Sequence, residues 1–332
     1  MTTDLRIGDM RTIIWLLAFV TGCLPSVACA QAQPYRTARF AAGPLNAVVI
    51  FQDANVARRE PELQSLLRGA FSRYHEFFGG PPRGPTGSAL DTVTVSLASA
   101  PVGEGDANPG TVRIVVGEHP VFGFYDWRLL LLHETFHLWS AHSFRYASAA
   151  EQWFNEGVSE FYAAQTAARL DLIDPLRAVG VTATALGFYV SAPQLGAVAL
   201  MKAANTTQSK FQNYFLVYYG GWMAGLVLDH DIRTRTNGQR SLDDVMRRMY
   251  RSFDRQRLYT TADVVAEIRT VTGIDYTHFF EQHIRGPAAI PVSQHLSLGN
   301  LAFALTARAA NARASAIDAH LLASLGLDPV VR

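Results

Sequence analysis

The sequence predicts an α+β protein, with a small N-terminal lobe containing a β-sheet followed by a mostly α-helical lobe. Three observations predict it. Asp91-Thr92-Val93-Thr94-Val95-Ser96-Leu97 alternates apolar and polar residues, as a strand with one covered face does. Thr111-Val112-Arg113-Ile114-Val115-Val116 is a β-branched run of strand length. From Asp126 onward, apolar residues recur at helical spacing almost to the C-terminus. Strands first and helices after is the α+β order, with the boundary near residue 126.

Taken in order, residues 1–30 read as a signal peptide. Arg6 and Arg11 precede an apolar stretch from Ile13 to Leu24, Pro25 interrupts it, and Ala28-Cys29-Ala30 fits a small-x-small cleavage site. The stretch is too short to cross a bilayer. A second reading takes Val20-Thr21-Gly22-Cys23 as a lipobox, with a lipid anchor on Cys23. Cys23 and Cys29 are the chain's two cysteines, so an exported form has no internal disulfide framework. The expected location is periplasmic or secreted, without a membrane-spanning segment.

Residues 31–125 form the first lobe. Residues 31–60 are polar and without clear period, a linker leading into a short strand at Ala47 to Phe51. Leu63, Leu66, Leu67, Phe71, Tyr74 and Phe78 have helical spacing, and Gly79-Gly80-Pro81-Pro82 ends that helix. Gly103 to Gly110 reads as a Gly/Pro/Asp-rich loop between the two strands of the opening argument. The second lobe, 126–332, is expected to hold helices near 126–142, 150–169, 192–204, 213–232, 241–254, 261–272, 275–284 and 310–324.

Of the 332 residues, 49% are apolar, enough for a sizeable core. The net charge of +1 argues against a nucleic-acid binder. The basic run Arg247, Arg248, Arg251, Arg255 and Arg257 reads as a solvated helix face.

Chemistry concentrates at Leu132-His133-Glu134-Thr135-Phe136-His137-Leu138. His133 and His137 lie one turn apart on one helix face, so their rings can converge on a single ion. Trp127, Leu129 to Leu132, Phe136, Leu138 and Trp139 surround them, and two imidazoles and a carboxylate in so apolar a helix need a partner. Glu156, nineteen positions beyond His137 in Trp153-Phe154-Asn155-Glu156-Gly157, begins the next helix and can face the pair. Three ligands and an open fourth position characterise a catalytic zinc site, holding one Zn²⁺. Glu134, between the ligands, is placed to take a proton from water. His278 and His283, five apart, do not share a helix face, and Asp229-His230-Asp231 points three ways, as a polar helix end.

His-Glu-x-x-His with this downstream Asn-Glu-Gly helix resembles the gluzincin metallopeptidases, which include thermolysin and the alanyl-type aminopeptidases. The segment Trp153 to Tyr162 is most similar to the glycyl-aminopeptidase family, whose larger members carry a PDZ domain. Tyr218-Tyr219-Gly220-Gly221 with Leu226 to Asp229, Ser241 to Met246, Phe279-Phe280-Glu281 and Ile284-Arg285-Gly286 resemble the same family in the same order. The resemblance implies a thermolysin-like helical catalytic lobe and Zn²⁺-dependent hydrolysis of peptides. It makes Tyr218 the donor to the tetrahedral oxyanion, with Tyr219 as the fallback, and Glu160 the acid that orients His133. The chain departs from the pattern in four places: the large N-terminal β-domain and the PDZ domain have no counterpart, Gly220 replaces the lysine after the tyrosine, and Val116-Gly117-Glu118-His119-Pro120 matches the substrate-anchoring segment poorly. Glu118 is the candidate for gripping a free amino terminus. Three functions stay open: an aminopeptidase, an endopeptidase or peptidoglycan-directed amidase on the same site, and a zinc- or peptide-binding envelope protein with little turnover.

Overall fold

The computed structural model describes residues 34–117, 127–298, 300–302 and 318–327. The expected signal peptide with Cys23 and Cys29, the segment holding Glu118, and the first part of the expected 310–324 helix lie outside the described residues. Residues from Pro34 onward belong to one compact unit.

Strands β1 (Arg36–Ala42), β2 (Leu45–Phe51), β3 (Thr92–Ala100), β4 (Glu104–Asn108) and β5 (Thr111–Gly117) form one mixed sheet in the order β1-β2-β3-β5-β4. The β2-β3 and β3-β5 pairs are parallel, while the outer pairs are antiparallel. Register aligns Phe51 with Leu97 and Leu97 with Ile114, so the buried residues of three strands share one face. The α+β expectation holds.

Two of the strands replace expected irregular structure. β1 lies in the presumed linker; it is an edge strand, and of its side chains only Ala42 is buried. β4 lies in the presumed loop, with burial alternating weakly along Glu-Gly-Asp-Ala-Asn. Backbone pairing makes this strand, through a two-residue Pro109-Gly110 turn in which Gly110 has φ 82°.

Helix α1 (Glu60–Phe78) connects β2 to β3 and ends at Gly79 in the left-handed conformation, with φ 75°. Helix α2 (Trp127–Ser140) is buried on nearly every side between α1, β4 and β5. Tyr74 Oη donates to Leu132 O at 3.1 Å and Trp139 Nε1 to Gly80 O at 2.9 Å. Phe71, Tyr74, Phe78, Phe136 and Trp139 fill the interface, each about 1% exposed or less. Burying one such side chain fully is worth about 1.5–3 kcal/mol.

The chain then turns through a π-helical segment, Trp153–Gly157, into α3 (Val158–Arg169). Helix α4 (Pro175–Val190) has Asp174 as its N-cap, accepting from Arg177 N at 2.8 Å, and proline at its start. The expected 192–204 helix is absent. Pro193 and Gly196, at φ 80°, break it, leaving a single 3₁₀ turn at Leu200–Lys202. Helix α5 (Thr207–Gln212) is short and buries none of its residues. A second π segment, Phe215–Gly220, runs into α6 (Gly221–Arg235), followed by α7 (Leu242–Ser252) and α8 (Thr261–Thr272). The expected 275–284 helix is a short α turn, Thr277–Phe280, continued by a π turn, Glu281–Arg285. Of the 310–324 helix, Ala319–Ser324 is described. No helix among the described residues is long and apolar enough to cross a membrane.

The two π segments meet where each passes into its α-helix. A Cβ on Gly157 would stand 2.4 Å from Gly221 Cα, and one on Gly221 would stand 2.0 Å from Trp153 O. Main chain therefore touches main chain, which only glycine permits.

Candidate active site

Helix α2 presents His133 and His137 with their Nε2 atoms 2.9 Å apart and their rings at 89°. The first π segment presents Glu156, whose Oε2 lies 3.4 Å from each Nε2. All three side chains are buried, and their ligand atoms lie within 4.8 Å of one another. π turns recur at functional sites because the wider turn re-aims a side chain.

The outer ring nitrogens have their own neighbours. Ser159 Oγ donates to Asn155 O at 2.6 Å, so it meets His137 Nδ1, 3.4 Å away, as an acceptor; Ser140 Oγ lies at the same distance. His133 Nδ1 faces Glu160 Oε1 at 3.6 Å. With protons on both Nδ1 atoms, both Nε2 lone pairs and a carboxylate oxygen converge on one point. Three electron-rich atoms in a buried space are the arrangement that a bound cation stabilises. Two imidazoles and one carboxylate, with no thiolate, suit Zn²⁺.

Charge shifts follow the same geometry. Burial pushes Glu134 well above the usual carboxylate range, and the carboxylates of Glu156, Asp106 and Glu160 add to it. Burial alone would also raise Glu156, but His133, His137 and Lys210 outweigh it and hold this carboxyl well below its ordinary value. Burial and the neighbouring His133 lower His137 and keep it neutral, the form that ligates metal.

Tyr218 stands beside the triad, its ring stacked 6.3 Å from that of His133. Burial, then Glu156 and Tyr214, raise its phenol well above the normal range, so it stays a proton donor. Tyr219 instead packs against Phe188 and Trp222. Glu134 lies against β4, where a Cβ built on Gly105 would come within 2.6 Å of Glu134 Oε1. His142 Nε2 donates to Ala107 O at 2.9 Å from the outer side of this edge strand. By alternation, the Gly105 amide and carbonyl face the same way, beside Glu134.

Ser140, Ser159, Gly105 and Lys210 escaped the sequence reading. Lys210 Nζ lies 2.5 Å from Glu156 Oε1 and 5.4 Å from the Tyr218 ring centre. The two glycines that flank the motifs, Gly157 and Gly221, were the signal that a close crossing joins Glu156 to Tyr218. Asp229-His230-Asp231 is no ligand cluster: Asp229 pairs with Arg233, His230 with Asp318, and Asp231 accepts from Tyr276 Oη.

No protein-family model and no curated sequence matches the chain. Solved structures do. An aminopeptidase N family protein from Idiomarina loihiensis superposes with a TM-score of 0.64 at 16% identity, over 80% of this chain and 49% of that one. A mutant M1 zinc metallopeptidase from Deinococcus radiodurans gives a TM-score of 0.55 at 18% identity, over 77% and 53%. The same enzyme bound to a Tyr-Ser-Ala substrate gives 0.53 at 18% identity, over 79% and 54%. The chain therefore has the fold of these M1 zinc metallopeptidase structures, and it spans about half their length.

Proposed function

We propose that this protein is a zinc-dependent peptidase of the gluzincin type, aminopeptidase-like, acting outside the cytoplasm. One observation carries the proposal: His133, His137 and Glu156 aim three lone pairs at one buried point, with Glu134 and Tyr218 beside it. The M1 fold and the peptide-bound Deinococcus radiodurans structure support the substrate class. The Arg6-to-Ala30 pattern supports export, and lipidation of Cys23 remains the alternative to cleavage.

His133, His137 and Glu156 would hold the ion, which supplies Lewis acidity and lowers the pKa of water. Glu134 takes the proton of the attacking water and returns it to the leaving amine nitrogen. Tyr218 donates its phenolic hydrogen to the oxygen that gains charge in the transition state. Glu160, whose Oε1 lies 3.6 Å from His133 Nδ1, is the carboxylate placed to receive that nitrogen's proton and so set which nitrogen faces the ion. The bare Gly105 backbone on β4 accepts an extended peptide as an added strand, bringing its carbonyl alongside Glu134.

Metal content and peptidase activity are measured together on the mature chain. Glu134→Gln keeps zinc and loses hydrolysis, by about 10²- to 10⁴-fold; His137→Ala and Glu156→Ala lose both. Zinc fully retained in His137→Ala would falsify the ligand assignment. Peptides with free and blocked amino termini then separate the two peptidase readings, since equal cleavage of both marks an endopeptidase.

A further inference from the structure

Lys210 brings a positive charge into a site otherwise lined by carboxylates. It comes from α5, whose residues are none of them buried. The helix is held by its own ends: Thr206 and Ser209 form a reciprocal cap, and Asn213 Nδ2 donates to Ala203 O at 2.8 Å. From that surface turn the side chain reaches inward, crosses the face of Tyr218, and ends on Glu156 Oε1 at 2.5 Å. The other oxygen, Oε2, is the one 3.4 Å from both imidazoles. The two carboxylate oxygens are thus divided between two cations: one is the ammonium, and the other is whatever the imidazoles bind.

We infer that Lys210 is a positioning residue for Glu156, committing one carboxylate oxygen so that the other alone meets the metal. The inference rests on the zinc-site reading above. Two physical points lead to it. A carboxylate free to offer both oxygens can occupy two coordination positions, closing the slot that hydrolysis needs open. Charge balance agrees. Glu156 is buried, and the carboxyls of Glu134 and Glu160 are buried close by. Buried charges persist only when compensated, and the Lys210 ammonium on Oε1 compensates the Glu156 carboxylate.

The test uses the mature protein loaded with Co²⁺ or Zn²⁺, as wild type, Lys210→Met and Lys210→Arg. Readouts are the visible absorption of the cobalt form, which weakens as coordination number rises, the zinc dissociation constant by chelator competition, and kcat and KM. Melting temperatures are compared in the metal-loaded proteins, and the readouts are taken on variants that remain folded at the assay temperature. Lys210→Met should lose cobalt absorption intensity and about tenfold in kcat with KM little changed, and Lys210→Arg should restore both. Wild-type absorption, zinc affinity and kcat in Lys210→Met would overturn the inference. So would tighter zinc binding with faster turnover, since Lys210 would then compete with the ion. If wild type itself binds neither metal, the zinc-site reading fails and the inference falls with it, a result distinct from either of these.

Discussion

Helix α2 and the Gly157–Gly221 crossing build one site by opposite means. α2 is regular, and its two histidines meet because the α-helix repeats every 3.6 residues. Any sequence with this spacing in a helix would bring them together. The crossing is irregular: two π turns abut through bare backbone, and Glu156 and Tyr218 are aimed by that contact rather than by a repeat. Half of the site thus rests on periodicity and half on a single steric fit. The first kind tolerates surface change, whereas the second fails at one methyl group.

Substituting Gly221→Ala strikes the fit directly, forcing a methyl to within 2.0 Å of Trp153 O. The expected cost is about 3 kcal/mol, a fall in Tm of roughly 5 °C, together with loss of bound zinc. Gly180, with open space at its Cβ position, is the control, and Gly180→Ala should hold or raise Tm. If calorimetry shows both variants melting like wild type, the crossing carries no weight. Tyr218→Phe tests what the second π turn aims. It should lower kcat by about 10²-fold without changing Tm, as removal of one oxyanion donor does. Glu160→Gln tests the support given to the regular half. Zinc affinity should fall by about tenfold in a chelator titration, with the fold intact. The smallest effect is expected of Tyr219→Phe. The Tyr219 hydroxyl is buried without a hydrogen-bond partner, so its removal should leave kcat unchanged and stability equal or slightly higher. A large loss of turnover there, with Tyr218→Phe silent, would shift the π turn's register by one residue.

The same division governs what could be read from the sequence. β2, β3, β5, α1 and α2 declare themselves through period-two or period-3.6 patterns, and the His133–His137 pair through its spacing. β1 escapes because its inward residues include the small Ala38 and Ala42, which carry little hydrophobic signal. β4 escapes because it contributes backbone, with scarcely an apolar side chain to mark it. Helix α4 did carry start signals, Asp174 and Pro175, but its Ala/Gly/Thr-rich body blurs the apolar stripe. In the site, Lys210 reads as one more surface lysine on a polar turn, because nothing local reveals an ion pair spanning 54 positions. Ser159 and Ser140, nineteen positions apart, meet only once α2 and α3 pack together.

The contact at Gly157 and Gly221 also bears on how this protein's substrate range can be redesigned. Two touching main chains leave this keel no slack, so the spacing between Glu156 and Tyr218 is not adjustable from below. The gunwales are different: β4, beside Glu134, and α5, whose Lys210 meets Glu156, carry solvent-facing side chains, including Phe211 at 61% exposure. A library meant to change which peptides enter belongs at the exposed Glu104, Asp106, Asn108, Gln208, Phe211 and Gln212, with Gly105, Gly157, Lys210 and Gly221 left untouched.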